Sequence, residues 1–192
     1  MSNVFGITGT PGTGKKTIAP LVAARMGIPC ISLNDLAVSS GLVERGGDAA
    51  EVDTTSLRRS IGRDVSGPAL LYGHLLPYVL RGKELRRVAV LRCEPKVLKH
   101  RLLNRGYRPE KVVENVEAEL IGVISADSMA AFGSRKTAEF DTTASKPTSA
   151  ARMISEFLKR SGEPGSRIDW TLSYTSASTL RSLLSGLNAS GA

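Results

Sequence analysis

The sequence predicts an α/β fold in which a parallel sheet of about five strands is flanked by helices. Three observations indicate this class. Short apolar runs alternate with segments of helical spacing, the apolar runs are typical of interior strands, and a glycine-rich turn follows the first run. The 192 residues, of which 41% are apolar, can bury one sizeable core, so we expect one domain with small excursions.

The elements are predicted in alternating order along the chain. Strands are expected at residues 3–8, 28–33, 68–72, 87–93 and 138–143. Helices are expected at residues 15–27, 53–63, 94–103, 108–129 and 147–161, the first of them strained at Pro20. The Gly-, Ser- and acid-rich stretch 34–52 predicts a short helix followed by a mobile excursion, with Asp35 and Asp53 as candidate helix caps.

The turn after the first strand carries the pattern of a phosphate-binding loop. The pattern G-x-x-x-x-G-K-[ST] begins at Gly9 and reaches Gly14 and Lys15, but Lys16 stands where a hydroxyl residue is expected. In such loops the backbone N–H groups converge on the β-phosphate at a helix N-terminus, and the lysine adds charge toward the β- and γ-phosphates. We therefore predict ATP binding by Gly12, Thr13, Gly14, Lys15, Lys16 and Thr17.

The lysine at position 16 affects the expected Mg²⁺ site, because the Ser or Thr hydroxyl usual at this position ligates the metal that bridges the β- and γ-phosphates. An acidic residue is also expected after the third strand, where the chain has Tyr72 and His74. Two alternatives follow. The Lys16 ammonium lies near the metal position and leaves the local charge unchanged, so that ATP binds without metal. Otherwise Lys16 points to solvent and Thr17, with water, keeps a weak Mg²⁺ site.

The formal net charge of +8 comes entirely from residues 81–111, which contain eleven Lys and Arg and three Glu. Such a segment suits phosphate groups. The alternative is a solvated helix face with a basic loop, since charged side chains ordinarily stay exposed.

Several classes of protein are disfavoured by composition. The longest mostly apolar stretch, residues 67–80, is too short for a bilayer and is interrupted by two prolines and two glycines. The N-terminus enters a strand pattern without the features of a signal peptide, so a cytoplasmic protein is expected. Cys30 and Cys93 lie in apolar runs and are predicted to be buried free thiols.

Five stretches together resemble the adenylate kinase 6 family, the small nuclear or archaeal adenylate kinases and ATPases implicated in small ribosomal subunit maturation. They are GTPGTGKKT, NDLA, VLRCEPKVLKHRLLNRGY, EKVVENVEAEL and SKP, and the resemblance covers roughly residues 3–160. The run from LRC through RGY to EN and AE indicates this family more specifically than the phosphate loop does. The archaeal branch of the family is expected.

The resemblance implies a P-loop nucleoside monophosphate kinase-like domain over residues 1–160, with a monophosphate-binding excursion at about 32–52 and a lid at about 104–114. A Ser-, Gly- and Thr-rich extension follows over residues 161–192. Lys15, Arg105 and His74 would be catalytic, and Arg105 and Lys146 would join the ATP-binding residues. The family carries an acidic-x-His pair after the third strand, of which this chain keeps His74 and replaces the acid with Tyr72.

Three functions are consistent with these features. The first is an enzyme that transfers a phosphoryl group from ATP to AMP, hydrolyses ATP, or does both. The second is a nucleotide-switched ribosome assembly factor with little turnover, and the third is a small-molecule kinase of another class. The resemblance implies a small-subunit platform ribosomal protein and rRNA as partners; neither a membrane nor DNA is expected.

The last thirty residues contain one amphipathic patch. Its members are Leu180, Leu183, Leu184 and Leu187. A helix docked on the core, a loosely held tail and a partner-binding helix are the alternatives.

Overall fold

A computed structural model of the chain describes residues 3–46, 49–160 and 167–185. Its strands are β1 (Val4–Thr8), β2 (Cys30–Ser32), β3 (Val43–Gly46), β4 (Ala49–Val52), β5 (Ala69–Tyr72), β6 (Arg87–Arg92) and β7 (Thr137–Asp141). Five of them pair in parallel in the order β2-β5-β1-β6-β7, and β3 pairs with β4 in a separate antiparallel hairpin. The predicted parallel sheet of five strands is confirmed.

Helices cover both faces of this sheet. They are α1 (Lys15–Met26), α2 (Leu33–Ser39), α3 (Thr54–Asp64), α4 (Leu76–Val79), α5 (Pro95–Leu103), α6 (Pro109–Leu120), α7 (Val123–Phe132), α8 (Pro147–Lys159) and α9 (Ala177–Leu184), with a short 3-10 helix at Trp170–Ser173. Within the described ranges none of them is long and apolar enough to cross a membrane.

Alternate residues of β1 pack into two separate cores, as the period of two in a strand requires. Val4 joins the core under α2, α3, α4 and α7, whereas Phe5 and Ile7 join the core under α1 and α8. Gly6 lies against α4 so closely that an added Cβ would be 2.5 Å from Leu76 Cδ2. The sheet is therefore fixed from both sides, and its carboxyl edge is a rigid base for a site.

The single helix predicted over residues 108–129 is wrong. The chain forms α6 and α7 instead, and they are separated at Gly122, which has φ 72°. This left-handed conformation favours glycine and ends a right-handed helix. An added Cβ at Gly122 would also lie 3.4 Å from the guanidinium of Arg92, so the break lets the chain pass close to a buried ion pair.

The stretch 34–52 contains more regular structure than the predicted excursion. The hairpin β3–β4 follows α2, and residues 47–48 between its strands lie outside the described part. Asp53 caps α3, since its carboxylate accepts hydrogen bonds from the N–H groups of Thr55 and Ser56 at 2.9 and 3.0 Å. Asp35 is not the cap of α2; the hydroxyl of Ser32 accepts from the Asp35 N–H at 3.2 Å and fills that position.

The C-terminal segment, residues 167–185, packs on the core that α5 and α6 share. Leu183 of α9 is 3% exposed, and Leu180 and Leu184 pack beside it, whereas Leu187 lies outside the described residues. The ammonium of Lys99 on α5 donates to the carbonyls of Leu183 and Ser185 at 2.7 and 2.6 Å. The amphipathic patch is thus part of a docked helix, as the first alternative predicted.

The basic segment 81–111 does not form one surface. The segment runs through β6. The residues before this strand and the residues after it therefore lie about 20 Å apart, at opposite ends of a six-residue strand. At the amino end Arg86 and Arg87 stack on the rings of Phe5 and Phe157, at 5.9 and 4.7 Å from the ring centroids. Only the half after β6 lies beside the phosphate loop.

Both cysteines are free thiols, as predicted. Cys93 is buried, but Cys30 on the edge strand β2 is only half-buried.

Candidate active site

The phosphate loop, residues 9–15, follows the central strand at the carboxyl edge of the sheet. Strand β1 lies between β5 and β6, so the chain connections diverge there and leave a crevice. Ligands of open α/β sheets bind at this kind of switch point. The topology therefore places the predicted loop where a ligand is expected.

The backbone of the loop depends on its glycines. Gly9 has φ 139°, and an added Cβ would be 2.3 Å from the carbonyl oxygen of Leu91 on β6. Gly14 has φ 98° and precedes α1, which has no side-chain cap at its N-terminus. The first N–H groups of α1 therefore face the crevice without a side-chain acceptor, which is the arrangement that binds phosphate.

Lys15 bends back over the loop. Its Nζ donates to the carbonyl of Gly9 at 2.5 Å and to that of Thr10 at 2.9 Å. Burial of the ammonium lowers the pKa of Lys15 to about 7, against the opposing charge of Glu119 and with the support of Arg105. The side chain as a whole is half-buried, so a ligand in the crevice can still reach it.

ATP binding is expected to take up a proton above neutral pH. Without phosphate the pKa of Lys15 is about 7, and phosphate oxygens favour the charged lysine, so the pKa of Lys15 with ATP bound is higher than without it. Affinity should fall by up to about tenfold for each pH unit above pH 7, until the bound pKa is reached. Calorimetry in buffers of different ionisation enthalpy measures the uptake.

The Lys15→Arg variant is the control for this result, because an arginine stays charged throughout that range. ATP binding to this variant should involve no proton uptake at residue 15. Equal ATP affinity of the parent at about pH 7 and about pH 9 would contradict the shifted lysine.

Two hollows meet at the phosphate loop. The first hollow is lined by loop and α1 residues and by side chains from β2, α2, the end of β5 and the α5–α6 turn, among them Lys15, Lys16, Thr17, Asn34, Asp35, Tyr72, His74, Arg105 and Tyr107. The second hollow is lined by Gly12, Thr13, Gly14, Thr17, Ile18, Arg101, Arg105, Thr142, Ser145 and Pro147. Arg105 and Thr17 line both, so they stand between the two spaces.

His74 follows β5 and lines the first hollow. Its ring is exposed to the hollow, and partial removal from water and the Lys15 ammonium both lower its pKa. The imidazole is therefore neutral at physiological pH and can donate or accept one hydrogen bond.

Of the predicted site residues Lys146 alone lines neither hollow, and Thr13 lines the second although its side chain is buried. The Thr13 side chain is fully buried, and its hydroxyl donates to the Thr10 carbonyl at 2.9 Å, so it supports the loop from inside. Lys146 is exposed at the N-cap position of α8 and lines neither hollow, although its neighbours Ser145 and Pro147 line the second.

Several lining residues were missed by the sequence interpretation. They are Asn34, Asp35, Tyr107, Arg101 and Thr142. Asn34, Arg101 and Tyr107 fall within the stretches NDLA and HRLLNRGY, which could have indicated them. No motif in the sequence indicated Thr142, because only the pairing of β6 with β7 brings this residue to the loop. There its hydroxyl donates to the Thr13 carbonyl at 2.8 Å.

Few oxygen ligands for Mg²⁺ line the two hollows. Asp35 is the one carboxylate among the described residues that line the two hollows. The described part of the chain holds no group of three His, Cys, Asp or Glu that could bind a metal ion. Magnesium in phosphoryl-transfer sites is ordinarily held by one or two carboxylates together with the substrate phosphates. The exposed side chain of Lys16 also lines the first hollow.

The chain is similar to several known proteins. A family model described as an AAA domain matches residues 6–122. A protein of Thermococcus gammatolerans named "Putative adenylate kinase" is 35% identical over 173 residues, which cover 89% of this chain and 94% of that protein. A protein of Methanocaldococcus jannaschii with the same name is 32% identical over 181 residues, which cover 92% and 97%.

Solved structures show the same fold at low identity. Shikimate kinase from Bacteroides thetaiotaomicron superposes with a TM-score of 0.56 at 18% identity and covers 82% of this chain and 98% of its own. A gluconokinase from Sinorhizobium meliloti 1021 gives a TM-score of 0.55 at 19% identity and covers 91% and 98%. Both likenesses concern the architecture alone.

Proposed function

Since the chain belongs to the family of these archaeal adenylate kinase-named proteins, we propose that it transfers a phosphoryl group from ATP to AMP. The observation that supports this most is the pair of hollows on either side of the phosphate loop, which share Gly12, Gly14, Thr17 and Arg105. A hydrolase needs space for one nucleotide and water. Two adjoining spaces suit two substrates whose phosphates meet at the loop.

ATP occupies the second hollow in this proposal, with its phosphates on the loop. The N–H groups of the loop and the Lys15 ammonium bind the β- and γ-phosphates, and Lys15 exchanges the carbonyls of Gly9 and Thr10 for phosphate oxygens. Arg105 extends from the α5–α6 turn between the hollows and neutralises charge on the transferring group. In this proposal the lid includes the short turn between α5 and α6, and Arg105 is the residue of this turn that reaches the phosphates.

AMP occupies the first hollow. Tyr72 and Tyr107 offer aromatic faces for a base, and Asn34 offers an amide that can recognise base edges. The neutral His74 lies beside Lys15 and orients the acceptor phosphate by a hydrogen bond.

Lys16 lets ATP bind without Mg²⁺. Its ammonium would supply positive charge at the first hollow, and the described residues hold no group of three His, Cys, Asp or Glu that could bind a metal ion. Thr17 with water is the alternative metal ligand.

A nucleotide-switched assembly factor with little turnover is the second candidate function. The two replacements Lys16 and Tyr72, on the metal side of the phosphates, favour it. A ribosomal protein and rRNA are the partners that the family resemblance suggests for such a factor, and a cytoplasmic location suits it. The basic half-segment after β6 is the surface for RNA phosphates.

The test is ADP formation from ATP with and without AMP. The kinase predicts that AMP raises ADP formation strongly and that two ADP appear for each AMP consumed. Hydrolysis alone gives one ADP and one phosphate per ATP and no response to AMP. Tight ATP binding without either reaction supports the switched assembly factor, and a response to another phosphate acceptor but not to AMP would replace AMP as the substrate.

A further inference from the structure

A buried carboxylate next to the phosphate loop joins parts of the chain that are distant in sequence. Glu119, in the last turn of α6, is only 1% exposed. Its Oε2 accepts a hydrogen bond from the hydroxyl of Thr10 at 2.6 Å. Its Oε1 accepts from Arg92 Nε at 2.8 Å and from the Cys93 N–H at 3.0 Å. Glu119 therefore ties the loop to the carboxyl end of β6.

The C-terminal segment completes this cluster. Trp170 Nε1 donates to Glu119 Oε1 at 3.2 Å, and the carbonyl of Ile168 accepts from Arg92 Nη1 at 3.0 Å. Glu139 on β7 pairs with the same Arg92 nitrogen at 3.3 Å and accepts the Ile168 N–H. The segment thus supplies one donor to each of the two buried carboxylates and one acceptor to the arginine.

The Thr10–Glu119 contact continues to the nucleotide-binding lysine. The Thr10 carbonyl accepts from Lys15 Nζ at 2.9 Å and from the Thr13 N–H at 3.2 Å. The residue that Glu119 holds by its side chain is therefore the one whose backbone orients Lys15 and closes the turn. Three charged or titratable groups act on or beside the Lys15 ammonium, namely Glu119, Arg105 and His74.

If Glu119 served only to stabilise the buried ion pair, fewer of these hydrogen bonds would be needed. Its Oε1 alone satisfies Arg92 Nε, and Arg92 has Glu139 and two carbonyls as further acceptors. The second oxygen makes its one hydrogen bond to the loop. A carboxylate–hydroxyl bond of 2.6 Å in a dry environment is strong and directional, so it restricts the Thr10 side chain to one position.

We propose that Glu119 is a positioning residue for the phosphate loop, which it holds through Thr10, and that Trp170 of the C-terminal segment keeps the carboxylate in place. The effect on ATP rests on the proposed function, whereas the effect on the loop itself does not.

The first experiment compares Thr10→Val with Thr10→Ser. The valine removes the donor to Glu119, and the serine keeps a hydroxyl. Hydrogen–deuterium exchange of the loop amides in the empty protein should rise in Thr10→Val, and ATP affinity should fall roughly tenfold, the effect of one lost bond to a charged group. Thr10→Ser should remain within about twofold of the parent.

The stability control is Leu57→Ala. Leu57 is fully buried in the core under α3, away from the loop, so this variant loses stability without touching the Thr10–Glu119 contact. The positioning role would be overturned if Thr10→Val matched the parent, or matched Leu57→Ala, in the hydrogen–deuterium exchange of the loop amides and in ATP affinity. If the parent itself binds no ATP, the proposed function fails, while loop exchange still decides the role of Glu119.

The charge of Glu119 gives a second readout. Glu119→Gln keeps the size of the side chain but removes the acid that holds a proton on Lys15, so the fall in ATP affinity with rising pH should begin at lower pH than in the parent. Thr10→Val keeps the charge and should leave that onset unchanged. An unshifted onset in Glu119→Gln contradicts the electrostatic part of the role.

The contribution of the C-terminal segment is tested by Trp170→Phe. This change removes the indole N–H and keeps an aromatic ring, so we expect faster loop exchange and about two- to threefold weaker ATP binding. Leu172→Ala on the same 3-10 helix is the matched control, since that side chain is 75% exposed. Loop exchange in Trp170→Phe equal to that of Leu172→Ala would remove the C-terminal segment from the proposal.

Discussion

Lys15→Ala should abolish most phosphoryl transfer while leaving the fold at least as stable. Loss of one preorganised donor to a transferring group ordinarily costs roughly 10²- to 10³-fold in rate, and loss of a bond to a charged ligand costs about 1.5–3 kcal/mol of binding. Burial disfavours the ammonium and lowers the pKa of Lys15 to about 7, so we expect that removal of this side chain does not reduce stability. ADP formation, ATP affinity and Tm measured on one preparation test these statements together.

Lys83→Ala is the control, because Lys83 is an exposed lysine before the amino end of β6, at the other edge of the sheet. It should match the parent in activity and Tm. A Lys15→Ala protein with activity within about threefold of the parent would exclude Lys15 as the phosphate-binding lysine, given the size of effect expected.

Lys16→Thr should make ATP binding depend on Mg²⁺. The parent carries an ammonium where the metal-binding hydroxyl is expected, so Mg²⁺ should change its ATP affinity by less than about twofold. The variant removes the competing charge and supplies an oxygen ligand. Mg²⁺ should then tighten ATP binding roughly tenfold or more, the size of one charge-assisted contact. Titration of ATP with and without Mg²⁺ measures the difference.

Lys16→Met separates the two parts of that change. It removes the ammonium without adding a hydroxyl, so ATP should bind more weakly than to the parent and still show little response to Mg²⁺. A parent whose ATP affinity depends strongly on Mg²⁺ would contradict the metal-free site and favour Thr17 with water as the metal ligand.

Local patterns were enough for the framework of the site. The apolar run of β1, the glycines of the loop and the apolar spacing of α1 are adjacent in sequence, and each constrains its own backbone. Asp53 was recognisable as a cap because its partners Thr55 and Ser56 are two and three residues away. Such features depend on short-range geometry, so the chain order alone reveals them.

Where the sequence prediction was wrong, a tertiary contact or a flexible residue was responsible. One helix was predicted over residues 108–129, but Gly122 can adopt a left-handed conformation and passes close to the buried Arg92. The hairpin β3–β4 was missed because its short strands lie in a stretch rich in Gly, Asp and Glu, which predicted a loop.

The fold class, the position of the phosphate loop and the presence of Lys16 where the loop pattern has a hydroxyl residue could all be predicted from the sequence. The division of the basic segment between two edges of the sheet and the contact of the C-terminal segment with Glu119 depend on how the chain folds. Thr10 and Glu119 are 109 residues apart, and no local pattern records their contact. The lowered pKa of Lys15 has the same origin, because burial and charge act through space and depend on residues that only folding brings together.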